Sequence, residues 1–500
     1  MSDHATLTAE RETATPVHAA MLIGGERVAG GARLEVRNPA RPSELVGTVP
    51  RGTPNDVDRA VAAALTARPA WSRLRFVDRA DILRDAIAGL GQDIEARARL
   101  FVRENGKTLA EATAELSGLL RRQPLALSHA ASLDEGRDVP GERGDSRVEY
   151  RPYGVVASIV PWNAPVSLAF TQIVAALLAG NSVVLKPPES CPLALIATAE
   201  LFAAVLPAGV LNIVTGLPGE IGDALTGHRD IAKIGFTGSV GAARRILAVA
   251  ARSIKPTTME LGGNDPAILL HDAAVDDATV AALRTATFQM AGQVCMAVKR
   301  IYVPRSSLDR FIDRFAGLVD ATIVGDGLDP RIGMGPVHTA AAAARCMSLV
   351  DDAVARGARA MTLGKLDPRS SDDGGYFVRP TIVRDVPETA PLMVEEQFGP
   401  VIPVAGYDDL DEVVERANDT VFGLSASLWG RDRDALMKTA RRLDVGQVWL
   451  NAHGPPAVNH NAPYGGVKQS GMGRKSGIEG VLEYLQSQTI TEPRLATEQN

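Results

Sequence analysis

The stretch that decides the fold begins with MELGGNDPAI at residues 259–268 and ends with FQMAGQVCMAVKR at residues 288–300. It places the carboxylate of Glu260 35 residues before the thiol of Cys295, with glycines beside both groups. A lone cysteine is most often buried and inert. Glycine, however, allows a tight turn and a close approach of the backbone to a ligand. We therefore expect Cys295 on a tight loop open to a substrate, with Glu260 as a candidate general base if folding brings the two together.

Further motifs occur along the chain in the order of a known family. They are PWN at 161–163, KPPE at 186–189, FTGS at 236–239, EEQFGPV at 395–401 and PYGGVKQSG at 463–471. Together with ELGG and GQ-x-C, they make the chain resemble the aldehyde dehydrogenase superfamily over most of its length from about residue 150 onward. The resemblance implies that Cys295 is the nucleophile and Glu260 the general base. It assigns the oxyanion to the side-chain amide of Asn163 and the backbone N–H of Cys295, although an Asn at this position could also simply make a turn.

The implied reaction begins when the thiolate attacks an aldehyde carbonyl and produces a thiohemiacetal with a negative oxygen. Collapse of this adduct expels hydride to a nicotinamide and leaves a thioester on Cys295, which water hydrolyses with the help of Glu260. One alternative is a dehydrogenase that passes the acyl group to coenzyme A, but such relatives generally lack a carboxylate at position 260. Another is a non-catalytic binding or structural protein, which would not require Cys295, Glu260 and Asn163 together.

The resemblance also implies the cofactor contacts. Lys186 and Glu189 should bond the adenosine ribose, and a carboxylate there favours a 2′-hydroxyl over a 2′-phosphate, so NAD is the expected cofactor. Ser239 precedes a predicted helix, whose N-terminal amides suit a pyrophosphate. Glu396 should hold the nicotinamide ribose, with Phe398 packed near the nicotinamide. The expected cofactor contacts also include Trp162, Gly219, Phe236 and Gly238.

One glycine-rich segment is ambiguous. Gly216, Gly219 and Gly222 form G-x-x-G-x-x-G, with Pro218 where a dinucleotide fingerprint carries its second glycine. By itself this pattern indicates an ordinary turn. The resembled family binds its dinucleotide without the usual fingerprint, so phosphate contact at Gly219 stays an expectation.

The substrate tunnel is expected between the segment after PWN and the loop before PYGG, as in the resembled family. The corresponding residues are Ala164, Ser167, Leu168 and Thr171, with His453, His460 and Tyr464 from the loop. Small and hydroxylated side chains here suggest a wide, polar tunnel. No arginine stands out as a partner for a substrate carboxylate. We expect His453 to line the tunnel and His460 to lie at the surface.

Composition limits the partners and the location. The net charge is −6 and there is no block of basic residues, so nucleic acid is not an expected partner. The polar N-terminus is expected to be a mobile tail and not a secretory signal, and the most apolar long run, residues 166–180, is too short to span a bilayer. Three cysteines at scattered spacings argue against a disulfide framework or a zinc site and favour a reducing cytoplasm. The expected partner is a small aldehyde.

A chain of 500 residues exceeds the usual size of a single core. Strands alternating with helices from about residue 154 predict an α/β protein with ligands at the carboxyl ends of parallel strands. The resemblance implies a Rossmann-like cofactor domain, an α/β catalytic domain and a small β element for assembly as a homodimer or homotetramer. We assign 1–130 and 151–257 to the NAD-binding domain, 258–450 to the catalytic domain, 131–150 and 479–495 to the oligomerisation element, and 451–478 to the substrate-site loop and return segment.

Overall fold

The computed structural model describes residues 15–371 and 374–494. Most of the polar N-terminal segment, predicted to be a mobile tail, lies outside the described residues, as does residue 495 at the end of the predicted oligomerisation element. Within them, no helix combines the length and apolar character needed to cross a membrane.

The first part of the chain contains short strands and then a group of helices. Its elements are β1 (Val17–His18), β2 (Met21–Ile23), β3 (Glu26–Val28), β4 (Arg33–Asn38), β5 (Arg41–Pro50), α1 (Pro54–Ser72), α2 (Phe76–Gly89), α3 (Ile94–Asn105), α4 (Leu109–Leu127), α5 (Ala130–Glu135), β6 (Arg137–Val139) and β7 (Gly144–Pro152).

The second part alternates strands and helices. Its elements are β8 (Val155–Ile159), α6 (Pro165–Leu178), β9 (Ser182–Lys186), α7 (Leu193–Ala203), β10 (Leu211–Ile213), α8 (Pro218–Gly227), β11 (Ile231–Thr237), α9 (Val240–Ala250), β12 (Thr257–Glu260), β13 (Asp265–Leu269), α10 (Asp277–Phe288), β14 (Val298–Pro304), α11 (Leu308–Asp320) and β15 (Ile323–Val324).

The last part completes the second sheet and returns to the first. Its elements are α12 (Ala340–Ala355), β16 (Arg359–Thr362), β17 (Lys365–Leu366), α13 (Pro368–Ser371), β18 (Thr381–Arg384), α14 (Pro391–Val394), β19 (Val401–Tyr407), α15 (Leu410–Asn418), β20 (Phe422–Gly423), β21 (Ser425–Trp429), α16 (Arg433–Ala440), β22 (Gln447–Leu450), β23 (Val467–Lys468), β24 (Gly471–Met472), α17 (Gly477–Leu482) and β25 (Leu485–Pro493).

The first large sheet has the strand order β24-β12-β11-β8-β9-β10-β2-β3. Its central strands β12, β11, β8, β9 and β10 run parallel, as the alternation of strands and helices predicted. Strands β8 and β9 are buried on both faces, which explains why their sequences read as apolar runs. Parallel pairing places the segments after β8, β9 and β11 along one edge of the sheet.

The second large sheet has the order β16-β18-β19-β14-β13-β21-β22. The decisive stretch connects the two sheets, since β12 ends at Glu260 in the first and β13 begins at Asp265 in the second. Strand β14 starts at Val298, three residues after Cys295, and pairs in parallel with β13. Glu260, at the end of β12, and Cys295, just before β14, therefore both lie at the junction between the sheets.

A third, smaller sheet has the order β25-β7-β6. Composition alone favours a linker over residues 137–150, whereas the family resemblance implies a hairpin, and the structure has the hairpin of β6 and β7. Strand β25 adds to it over nine paired residues. The side chains here are mostly exposed, so the segment lacks the apolar run that marks the buried strands. The fold is α/β, as predicted.

Local signals explain several helix ends. Thr53 caps α1 and, with Asp56, forms a capping box. Helix α3 ends at Gly106, which has a φ of 94° that favours glycine. The interpretation of residues 216–222 as a loop was wrong, because α8 begins at Pro218 and contains two of the three glycines. Proline at the first helical position is well suited to start a helix.

Candidate active site

The loop that carries Cys295 is tightly turned. After α10, Met290 and Ala291 have φ values of 53° and 54°, and Gly292 follows with a φ of 71°. These left-handed conformations are strained for side chains other than glycine. A Cβ at position 292 would also collide with the carbonyl oxygen of Gly399. Cys295 emerges from this turn half-buried, whereas the two other thiols, Cys191 and Cys346, are buried.

The thiol is protonated at neutral pH in this arrangement. Burial, together with the negative charges of Glu260, Glu396 and Asp265, raises the pKa of Cys295 to about 12. The positive charge of Lys299 acts in the opposite direction. The Lys299 ammonium donates to the carbonyl oxygen of Cys295 at 2.6 Å, so this cation is fixed close to the thiol.

Glu260 ends β12 and is buried, with 4% of its surface exposed. Within the described part of the chain, its Oε1 has no hydrogen-bond partner. Burial raises the pKa of the carboxyl to about 7, while the positive charges of Lys475 and Arg474 lower it. A group with a pKa near neutrality can both accept and release a proton under ordinary conditions, which suits a general base.

Lys475 lies behind this carboxylate and was missed by the sequence analysis. Its backbone bonds Tyr464 in both directions, and its Nζ donates to Thr237 Oγ1 at 2.6 Å. Thr237 is the partner of Glu260 in the pairing of β11 with β12. Burial lowers the pKa of the ammonium, and the charge of Glu260 raises it. A buried cation thus lies near the buried carboxylate.

Asn163 is held against the cysteine loop. Its Nδ2 donates to the carbonyl oxygen of Gln293 at 2.9 Å. The backbone carbonyl of Asn163 accepts from Lys107 Nζ at 3.1 Å, and that ammonium also pairs with the Glu115 carboxylate at 2.5 Å. Because an amide nitrogen carries two hydrogens, one N–H of Asn163 remains available for an oxyanion.

The EEQFGPV segment reaches the same junction from the second sheet. Glu396 Oε1 accepts from the backbone N–H of Gly263 at 3.1 Å and lies 3.4 Å from Lys299 Nζ. The ring of Phe398 meets the ring of Trp162 edge-on at 5.8 Å. Trp162 is itself stacked on His338 at 4.2 Å. Two predicted cofactor contacts, Glu396 and Phe398, therefore lie beside the cysteine loop and the PWN segment.

The other predicted cofactor contacts line the carboxyl edge of the first sheet. Lys186 ends β9, and its Nζ lies 3.3 Å from Glu189 Oε2, a side chain that is 40% exposed. Ser239 caps the 11-residue helix α9, whose first turn carries no acidic residue. Phe236 and Gly238 immediately precede Ser239, at the end of β11. Exposed N-terminal amides, an open carboxylate and a lysine fit the phosphate and ribose groups of a dinucleotide.

Gly219 lies apart from these groups, in the first turn of α8. A Cβ at this position would meet no atom within 4 Å, so the helix end is open there. Its predicted contact with the cofactor stays a prediction.

On the substrate side, Ser167 and Thr171 occupy successive turns of α6. The loop contributes His453, whose Nε2 donates to the carbonyl oxygen of Met296 at 2.8 Å. Burial lowers the pKa of His453 to about 3, so the ring is neutral. The hydroxyl of Tyr464 is buried, and it has no hydrogen-bond partner in the residues that the structure describes. His460, expected at the surface, is half-buried.

Several charged residues that shape this site carried no recognisable signal in the sequence. Lys299 follows Cys295 by four residues, so proximity along the chain could have indicated it. Lys107 and Lys475 are far in the sequence from the residues beside which they lie, Asn163 and Glu260 respectively. Arg122 in α4 donates from Nη2 to Ser167 Oγ at 2.7 Å, which places an arginine beside the predicted tunnel. No motif or spacing in the sequence marks this arginine.

The family model of the Aldehyde dehydrogenase family matches residues 27–490. Succinate-semialdehyde dehydrogenase [NADP(+)] of Escherichia coli is 37% identical over 480 residues, covering 93% of this chain and 96% of the relative. Geranial dehydrogenase of Castellaniella defragrans is 38% identical over 486 residues, covering 95% and 98%. The solved structure of betaine aldehyde dehydrogenase from Staphylococcus aureus in complex with NAD+ matches with a TM-score of 0.89 and 32% identity, covering 96% of each chain.

Proposed function

The chain belongs to the aldehyde dehydrogenase family and is an oxidoreductase acting on aldehydes, and from this premise we propose that it uses NAD to oxidise an aldehyde to the free carboxylic acid. Cys295 carries the covalent intermediates and Glu260 activates the hydrolytic water. The observation that carries this proposal is the buried Glu260 carboxylate, whose pKa is about 7 and whose Oε1 is free beside the cysteine loop. A site that only transferred the acyl group to coenzyme A would not need that base.

The first step is attack of the Cys295 sulfur on the aldehyde carbon. The thiol must lose its proton, and the ammonium of Lys299, bound to the carbonyl of the same residue, favours the thiolate. The new C–S bond moves an electron pair onto the carbonyl oxygen. The free N–H of Asn163 and the backbone N–H of Cys295 stabilise this oxyanion, each by about 3–4 kcal/mol.

The residues along the carboxyl edge of the first sheet would hold the dinucleotide, with Lys186 and Glu189 at the adenosine ribose and Ser239 at the pyrophosphate. Glu396 would hold the nicotinamide ribose near Cys295. When bound, the nicotinamide supplies an acceptor for hydride. The resulting thioester on Cys295 is hydrolysed by water, from which Glu260 removes a proton. Lys475 stabilises the ionised form of Glu260 for this step.

The preference for NAD rests on Glu189. Its carboxylate is 40% exposed, and we propose that it accepts from a ribose hydroxyl. The names of the relatives do not decide the question, since one similar enzyme is named for NADP(+) and another was solved with NAD+. The charge of Glu189 opposes a 2′-phosphate, and we propose NAD on this basis.

Assembly, location and domain division also belong to this proposal. Eight of the nine side chains of β25 are exposed, that of Leu485 being the exception, and the strand lies at an edge of the small sheet. Unpaired strand edges favour pairing with another chain, so a homodimer or homotetramer is expected, with a molar mass measurable by light scattering. The three free cysteines favour a reducing cytoplasm. The domain boundaries given by the resemblance remain part of the same proposal.

The test is an assay of the purified chain with a panel of aldehydes. NADH absorbance should rise with NAD, and the free acid should accumulate at the same rate. Addition of coenzyme A should leave turnover and product unchanged. Formation of an acyl-coenzyme A would favour the acylating alternative. No oxidation of any aldehyde with either cofactor would favour a non-catalytic protein and overturn the proposal.

A further inference from the structure

Arg122 is a cation without an acidic partner beside the predicted tunnel. It lies in α4, half-buried, and its Nη2 donates to Ser167 Oγ at 2.7 Å and to the carbonyl oxygen of Glu115 at 3.1 Å. The charge of the Glu115 carboxylate reaches it, but that carboxylate is already paired with Lys107. In the described part of the chain, Arg122 forms no ion pair of its own. A guanidinium has five N–H donors, so most of them have no described partner.

The guanidinium opens onto a small recess between α4, α6 and α17. The lining residues are Arg122, Gln123, Ala126, Thr171, Ala175, His460, Ser476, Gly477, Gly480 and Val481. The lining contains hydroxyl and amide groups but no carboxylate. Burial and the charge of Arg122 together lower the pKa of His460 to about 4, so this ring is neutral at pH 7. The recess therefore contains one positive charge that no group of its lining balances.

The recess is connected to the reaction centre through α6. Thr171 lines the recess, and Ser167 lies one helical turn before it, about 6 Å along the helix axis. Asn163, whose Nδ2 contacts the cysteine loop, comes two residues before the helix begins at Pro165. An aldehyde bound at Cys295 with its chain along α6 would present its far end to Arg122.

We propose that Arg122 selects short-chain aldehydes whose far end carries a carboxylate. This inference rests on the proposed aldehyde oxidation and adds the chemical class of the substrate. Arginine binds a carboxylate through two parallel N–H···O bonds, which fixes orientation as well as charge. The hydroxyls of Ser167 and Ser476 provide further donors near the same point, whereas that of Thr171 already donates to the carbonyl oxygen of Ser167. Binding of the anion supplies the negative charge that the recess lacks.

If Arg122 had a purely structural role, its loss would have a different effect on the enzyme. The guanidinium lies over Gly118, where a Cβ would be 2.6 Å from its Nη2, and it could serve only to fill this space and tie α4 to α6. In that case, its loss would lower stability and affect all aldehydes alike. Selection of an anion affects acidic substrates more than neutral ones.

The experiment compares aldehydes of equal length with and without the carboxylate. Succinic semialdehyde is paired with butanal and glutaric semialdehyde with pentanal, and kcat/KM is measured for each. Wild type should prefer the acid of at least one pair by tenfold or more. Arg122→Met should reduce the ratio of acid to neutral aldehyde by about tenfold to hundredfold, mainly through KM, the range for a charge-assisted hydrogen bond. Arg122→Lys should give an intermediate ratio.

Arg121 provides a matched control, because it is the adjacent arginine of α4 and its side chain is exposed. Arg121→Met should keep the wild-type ratio. Equal kcat/KM for the acid and neutral members of both pairs in wild type would overturn the proposal, as would an unchanged ratio in Arg122→Met. If Arg122→Met does not fold, succinate should inhibit butanal oxidation competitively in wild type and more weakly in Arg122→Lys, and equal inhibition would also overturn it. Failure of wild type to oxidise any aldehyde would instead count against the proposed function.

Discussion

Two glutamates mark two regions of this molecule with opposite surroundings. Glu260, at the junction of the large sheets, is buried and its Oε1 has no partner in the described residues. Glu189, at the carboxyl edge of the first sheet, is 40% exposed and lies 3.3 Å from Lys186. We call the surroundings of Glu260, Cys295 and Asn163 the reaction site, and those of Glu189 and Lys186 the ribose site.

The difference matches the role that we propose for each carboxylate. Burial raises the pKa of Glu260 to about 7, so its proton can move during a reaction. At the ribose site, the carboxylate of Glu189 is open to solvent beside the Lys186 ammonium, where we propose that it acts as a fixed acceptor for a hydroxyl. The proposed proton transfer at Glu260 therefore uses a carboxylate whose burial costs free energy, whereas the proposed hydroxyl recognition at Glu189 does not. If this comparison is correct, changes at the two sites should affect different measurable quantities.

The largest effect is expected from Cys295→Ala. The substitution removes the attacking sulfur, so aldehyde oxidation should fall by at least about 10⁴-fold. NAD binding should remain close to that of wild type, because the ribose site is formed by other strands. Measurement requires turnover by NADH absorbance and NAD affinity by calorimetry. Substantial turnover by the variant would remove Cys295 from its role, and loss of NAD binding would show that the two sites are not separable.

Glu260→Gln should separate the two steps of the reaction, hydride transfer and hydrolysis of the thioester. The amide cannot accept a proton from water, so hydrolysis of the thioester should slow by about 10²–10⁴-fold. Hydride transfer should slow less. Rapid mixing with excess aldehyde should then give a burst of NADH followed by a slow steady state. An equal loss in both phases would mean that Glu260 also accepts the proton of the Cys295 thiol.

Lys475→Met should shift the pH profile of the reaction site. Glu260 must be ionised to act, so turnover limited by hydrolysis rises with pH through a pKa of about 7. The positive charge of Lys475 lowers this pKa, and its removal should therefore move the rise to higher pH. At pH 7 the rate should fall by about three- to tenfold, since fewer molecules hold an ionised base.

The other charged or titratable groups near Glu260 are Arg474, Cys295 and Tyr464, and all remain in this variant. Lys475→Arg keeps the charge and is the matched control. Its profile should stay close to that of wild type, whereas recovery at high pH should appear only in Lys475→Met. A rate that is low at every pH would indicate that Lys475 holds the fold of the site and does not set the ionisation of Glu260.

The reaction site and the ribose site could be predicted from the sequence to different extents. Strands β8, β9 and β10 were legible because buried parallel strands read as apolar runs, and this locates the ribose site at their carboxyl ends. Cys295 and Glu260 were found from their motifs. The hairpin of β6 and β7 was not visible from composition alone, since its side chains are largely exposed and polar.

The supporting charges of the reaction site could not be read from the sequence, because long-range pairing creates them. Lys475 approaches Glu260 only because β24 pairs with β12, joining Gly471 to Glu260 across more than 200 residues. Arg122 meets Ser167 only because α4 packs against α6. Helix α8 was missed because three glycines and a proline are typical of turns. Local sequence patterns thus identify the reactive groups, whereas tertiary pairing determines which charged side chains surround them.

The smallest effect is expected at the ribose site. A 2′-phosphate carries close to two negative charges at neutral pH, so beside Glu189 it meets repulsion and leaves the carboxylate without a hydroxyl partner. Loss of such a partner costs about 1–3 kcal/mol. The ammonium of Lys186, 3.3 Å from Glu189, offsets part of the repulsion, and solvent screens the exposed pair. The preference of wild type for NAD should therefore be about tenfold, at the low end of that range.

Glu189→Ser should lower kcat/KM for NAD by a few-fold and raise it for NADP, because Lys186 becomes free to attract the phosphate. Glu189→Gln is the matched control: it keeps the length of the side chain and removes the charge. A change of preference in both variants would assign the effect to charge, and a change only in Glu189→Ser would assign it to size and hydrogen bonding. Cys295 and Glu260 are untouched, so the NADH burst should keep its wild-type size. Wild-type protein that uses both cofactors equally would show that Glu189 does not face the ribose, and the contrast between the two glutamates would then hold for burial but not for function.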